Sequence, residues 1–91
     1  MVVEKSPRLE RIEQLVSAID TWETREADTY VGANKDIRVY AAPYFDGEWE
    51  AEIKVEDIAS GKDIERIAGF AGLGVYLSIK QKAEKQVAEQ R

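Results

Sequence analysis

Apolar residues recur along this chain with two different periods, and the change of period divides it into helix, strand and helix. Leu9, Ile12, Val16 and Ile19 follow one another at three- and four-residue steps, with Leu15 and Trp22 broadening the stripe and Arg8, Arg11, Glu13 and Asp20 outside it. That spacing predicts an amphipathic helix. Ser6-Pro7 supplies its start, because serine caps a helix and proline is harmless at the first helical position. The pattern fades in "TWETREAD", so the helix is expected to end between Thr21 and Ala27.

The middle of the chain switches to period two. Thr29-Tyr30-Val31 is a short strand candidate, "GANK" a turn, and Ile37, Val39 and Ala41 alternate with Asp36, Arg38 and Tyr40. Pro43 closes that strand or puts it at an edge. Asp46-Gly47 predicts a hairpin turn. In the strand that follows, Trp49, Ala51, Ile53 and Val55 take one face and Glu48, Glu50, Glu52, Lys54 and Glu56 the other.

Beyond it, Ser60 and Asp63 are spaced as a capping box, and Ile64, Ile67, Ala68 and Ala71 repeat at helical steps. A second helix is therefore expected from near Gly61, broken or kinked at Gly72 to Gly74, since each interior glycine costs about 1 kcal/mol relative to alanine. Val75, Ile79, Ala83 and Val87 carry it on to about Glu89. The expected architecture is a single α+β domain over 1–91, in the order α-β-β-(β)-α. An N-terminal helix precedes an antiparallel meander of two or three strands, and the C-terminal helix is either long and kinked or two helices. A helix face laid on a sheet face closes a core of that size.

Composition narrows the chemistry. The 91 residues include no cysteine and no histidine. Disulfides, thiolate nucleophiles, Cys/His zinc sites and the commonest acid–base residue near neutral pH are all excluded. Serines 6, 17, 60 and 78 thus have no histidine to activate them, and the chain is expected not to be an enzyme. "GFAGLG" lacks the spacing and the preceding strand of a dinucleotide loop, and Gly61-Lys62 lacks the glycine a phosphate loop needs. The small residues Ala68, Gly69, Gly72 and Gly74 instead allow another element to approach closely, either within the domain or across a subunit interface.

The net charge of −5 is concentrated in the middle: residues 28–57 hold three bases and eight acids, while residues 58–91 hold six bases and four acids. Asp46, Glu48, Glu50 and Glu52 alternate along a strand, so their carboxylates start about 6.5 to 7 Å apart, too far to share one ion at about 2.3 Å. No metal or cofactor is expected. The acid row reads as a solvated strand face, as a patch for a basic protein partner, or as a mimic of a phosphate backbone that blocks a nucleic-acid-binding protein, because alternate strand residues repeat at about 6.6 to 6.8 Å. The mildly basic tail "KQKAEKQVAEQR" extends a helix whose seam, Val75, Ile79, Ala83 and Val87, is thin enough to suggest docking on a partner or on a second copy.

The helix–three strands–helix order, together with Ser78, Lys80, Lys82, Ala83, Glu84 and Ala88 in "SIKQKAEKQVAE", resembles the double-stranded-RNA-binding domain. That resemblance implies weak RNA binding through the C-terminal helix. The family's basic pair beside the serine is missing, Ile79 intrudes, and a chain of charge −5 repels phosphates.

The reading of the sequence is therefore a small acidic, non-catalytic interaction protein: an adaptor, accessory subunit or inhibitor, with a homodimer as one form. Its partner-binding residues are Glu48, Glu50, Glu52 and Glu56 on the sheet and Val75, Ile79, Ala83 and Val87 on the helix. The N-terminus "MVVEKSPRLE" has acids and a proline where a secretory signal needs an apolar core, and the longest uncharged run, Ile67 to Ile79, covers about 20 Å as a helix. No membrane span and a cytoplasmic location are expected.

Overall fold

The computed structural model describes residues 6–43 and 50–89. Its elements run α1 (Pro7–Ser17), β1 (Trp22–Arg25), β2 (Thr29–Ala33), β3 (Ile37–Pro43), β4 (Ala51–Asp57), β5 (Asp63–Ile67) and α2 (Phe70–Glu89). The strands form one antiparallel meander in the order β1-β2-β3-β4-β5. The α+β class is as expected, and the meander has five strands where two or three were expected.

The core follows from strand pleating. Val39 opposes Val55 and Ala41 opposes Ile53 across β3 and β4, and all four are fully buried. Ile12 and Val16 of α1 and Val75, Tyr76, Ile79 and Ala83 of α2 join them in one cluster, so both helices cover the same side of the sheet. Ser6 caps α1 as its spacing predicts, its hydroxyl accepting from Leu9 N–H at 3.1 Å.

The two added strands account for the differences. Helix α1 stops at Ser17, not between Thr21 and Ala27, and Trp22 belongs to β1, with its ring above Gly32. Gly32, expected in the "GANK" turn, lies within β2, where a Cβ would stand 2.6 Å from both Ile19 and Trp22, so only glycine fits there. The turn itself is made by Asn34, whose Oδ1 accepts from Asp36 and Ile37 N–H at 2.8 and 2.9 Å.

Residues 63–67, expected to open the second helix, instead pair with β4. Ser60 and Asp63 form no capping box, because the Ser60 hydroxyl and N–H both donate to Asp57 Oδ2, at 2.7 and 3.1 Å, within the β4–β5 turn. The ladder shifts register between Val55 and Glu56 and leaves Ile64 without a partner. Helix α2 then runs as one helix through Gly72 and Gly74, so of the two expected forms the single long helix is the one observed. Gly72 is there for close approach: a Cβ would overlap the Ala51 carbonyl oxygen of β4. The Asp46-Gly47 turn lies outside the described residues.

Candidate interaction surfaces

The side of the sheet away from the helices carries the residues that alternate with the core rows. On it β4 displays Glu52, Lys54 and Glu56, flanked by Arg38 and Tyr40 of β3 and by Arg66 of β5. Glu52 pairs with Arg66 at 2.8 Å and Glu56 with Arg38 at 3.7 Å, while the Lys54 ammonium sits 4.9 Å from the centre of the Tyr40 ring. Farther out, Arg25 pairs with Glu23 on β1 at 3.4 Å.

Within the five strands this face therefore holds four carboxylates (Glu23, Glu52, Glu56, Asp63) against four cations (Arg25, Arg38, Lys54, Arg66), a formal charge of zero. Two acids of the row, Glu52 and Glu56, thus sit in cross-strand pairs. β4 is also an interior strand, so its carboxylates do not guard a sheet edge. Of the sheet residues expected to bind a partner, Glu50 is exposed just ahead of β4, Glu52 and Glu56 are half-buried in ion pairs, and Glu48 lies outside the described residues. Between Glu52 and Glu56 the negative charge is interrupted by Lys54.

Helix α2 is held at a fixed rotation by anchors at several points along its length. Gly72 abuts Ala51. The Tyr76 hydroxyl donates to the Asp28 carbonyl at 2.7 Å, at the β1–β2 turn, where Ala27 and Asp28 both have positive φ. The Gln86 carboxamide accepts from Trp22 N–H at 2.8 Å and donates to Trp22 C=O at 3.1 Å, occupying the edge of β1 as a neighbouring strand would. Tyr30 and Tyr76 pack with ring centroids 5.7 Å apart. Burial, reinforced by the Tyr30 and Asp28 oxygens, pushes the Tyr76 phenol up to about 12. Burial, with Glu84 and Asp28 adding to it, also raises Tyr30.

This rotation sends Val75, Ile79 and Ala83 into the domain's own core, at 6%, 0% and 2% exposure. Three of the four seam residues are thus corrected from partner-facing to sheet-facing, and only Val87 stays accessible, at 47%. The cause is helical geometry. Steps of four residues advance about 40° each on a helix of 3.6 residues per turn, so a row of them drifts from the core side at Val75 to the flank at Val87.

Large apolar side chains do reach solvent on α2, elsewhere on its circumference. Phe70 is 76% exposed and Leu77 47%, with Leu73 half-buried between them. Phe70, Leu73, Leu77, Lys80, Glu84 and Val87 follow alternating steps of three and four, a heptad seam covering about 100° of arc. The buried row covers a similar arc centred about 120° away. Reading α2 for a second, offset heptad would have found this seam from sequence.

A cleft of about 310 Å³ separates the two helices, with Glu13 and Ser17 on one wall and Gly74, Ser78 and Lys82 on the other. Among the described residues no helix is long and apolar enough to cross a membrane. The observed α-β-β-β-β-β-α order also departs from the three-strand topology on which the resemblance to the double-stranded-RNA-binding domain rests. Compared with known proteins, the chain matches no family model, no curated protein and no solved structure.

Proposed function

We propose that this chain is a small non-catalytic protein–protein interaction module that works through the outer seam of its C-terminal helix. The observation that carries this reading is the alignment of exposed apolar residues. Four large hydrophobic side chains are exposed among the described residues, and three of them, Phe70, Leu77 and Val87, share that one seam. Isolated exposed apolar residues are ordinary, whereas a row of them marks a contact surface. The ion-paired sheet face offers a partner less, since docking there means desolvating charges that are already satisfied.

Affinity capture from the native cell tests the reading, using wild-type bait, a Phe70→Ser/Leu77→Ser bait and a Glu50→Lys/Glu52→Lys bait. Association lost in the helix variant and kept in the sheet variant supports the seam. The opposite pattern returns the function to the acidic strand. Both variants alter exposed or half-exposed positions, so unchanged circular dichroism separates lost association from lost folding.

A further inference from the structure

The outer seam of α2 has a property that most apolar helix faces lack: it is complementary to itself. Along it stand Leu77, Lys80, Glu84 and Val87. Laid antiparallel against an identical helix about a two-fold axis at residue 82, Leu77 meets Val87 of the other copy and Lys80 meets its Glu84. Symmetry then repeats both layers, giving Leu–Val, Lys–Glu, Glu–Lys and Val–Leu.

We infer that the protein forms a symmetric homodimer in which two α2 helices pack antiparallel in this register. The inference rests on the interaction-module reading above and names the partner of that seam as a second copy of the chain.

The charges support this occupant independently of the apolar positions. Lys80 and Glu84 are spaced to pair with one another along their own helix, yet neither makes an ion pair among the described residues. Lys80 is nonetheless half-buried, on the flank between the core row and solvent. In the dimer each finds its opposite charge across the seam, and each like-charge alternative is avoided. A parallel pairing sets Lys80 against Lys80 and Glu84 against Glu84, which disfavours it.

The contact is short. Overlap of residues 75–89 in this register spans about 22 Å of helix, below the length that gives a standard interface. The dimer is consequently weak, forming in the range of about 10 µM to 1 mM.

Sedimentation equilibrium of the full chain over that range measures it, with charge variants setting the register. Lys80→Glu places glutamate opposite Glu84 twice, and Glu84→Lys places lysine opposite Lys80 twice, so each weakens dimerisation by about tenfold or more. The double variant Lys80→Glu/Glu84→Lys restores the pairs and with them the wild-type constant.

The absence of native cysteine allows a clean geometric arm. Oxidising a mixture of Leu77→Cys and Val87→Cys chains yields the mixed disulfide. Leu77→Cys alone does not self-link, because the two copies of residue 77 stand about 15 Å apart along the axis, beyond the about 7 Å that a disulfide tolerates. Thermal melts show whether each variant folds; one that does not is replaced by Leu77→Ser or Val87→Ser, which also weaken the dimer.

A chain that stays monomeric to about 1 mM overturns the inference. So does a dimer in which Leu77→Cys self-links as readily as the mixture, or in which the charge swap fails to rescue. In each case seam-dependent capture of another protein would leave the proposed function standing. Loss of that dependence would sink the proposed function whatever the oligomeric state.

Discussion

The two sides of α2 are built from the same kinds of residue and meet opposite fates. Val75, Ile79 and Ala83 are shut away under the sheet, while Phe70, Leu77 and Val87 stand in water. Hydrophobicity does not separate the two rows. What separates them is where the helix is pinned: Gly72 on Ala51, Tyr76 on the Asp28 carbonyl and Gln86 on the edge of β1. A long helix with more apolar residues than one face can bury has its inner side chosen by a few steric and polar contacts, and the surplus becomes surface available for binding.

The largest test of that difference is a pair of truncations. Ile79→Ala removes a fully buried side chain and is expected to cost about 2 to 5 kcal/mol by urea denaturation, whereas Leu77→Ala should stay within about 0.5 kcal/mol of wild type at concentrations where the chain is monomeric. Equal costs would mean that the two rows are not segregated.

The glycines sharpen the comparison. Gly72→Ala drives a Cβ into the Ala51 backbone and should cost about 1 to 3 kcal/mol, because a carbonyl in an interior strand cannot give way. Two residues on, a Cβ at Gly74 meets nothing within 4 Å, so Gly74→Ala should stabilise by about 0.5 to 1 kcal/mol through helix propensity. Opposite signs at neighbouring glycines are the signature of the fixed rotation.

The polar anchors give smaller effects. Gln86→Ala deprives Trp22 of both backbone partners and should cost about 1 to 2 kcal/mol, against no measurable change for exposed Lys85→Ala. Tyr76→Phe should cost about 0.5 to 1.5 kcal/mol near neutral pH. It also carries a pH signature. The folded phenol titrates near 12 and the unfolded one near 10.0, so its contribution is complete below pH 10 and is lost as pH rises towards 12. The stability difference between wild type and Tyr76→Phe should shrink over that window; a constant difference would remove Tyr76 from the account.

Strand pleating made the core legible in advance. The alternations Ile37, Val39, Ala41 and Ala51, Ile53, Val55 are long enough to fix which face is dry, and Ser6-Pro7 marks a helix start by its own chemistry. β1 offers four residues with one buried, too few to show a period. β5 is interrupted by the unpaired Ile64, which gives Ile64 and Ile67 a helical spacing inside a strand.

The same gap hid the character of the sheet face. Glu52 is neutralised by Arg66, 14 residues away in a segment that reads as helix, so a row that looks acidic along one strand is balanced by its neighbours across the sheet. Charge along a strand is a property of the sequence, and charge over a face is a property of the register. On α2, the four-residue repeat from Val75 to Val87 suggested one face, and its drift around the axis divided it between two.

The most direct test of this division is the access of a soluble paramagnetic probe to methyl groups, read by NMR on the dilute chain. Strong relaxation of the Leu77 and Val87 methyls is expected, with little of those of Val75 and Ile79. Protection of Leu77 together with exposure of Ile79 would mean that α2 lies on the sheet in a different rotation, and would contradict the account at its foundation.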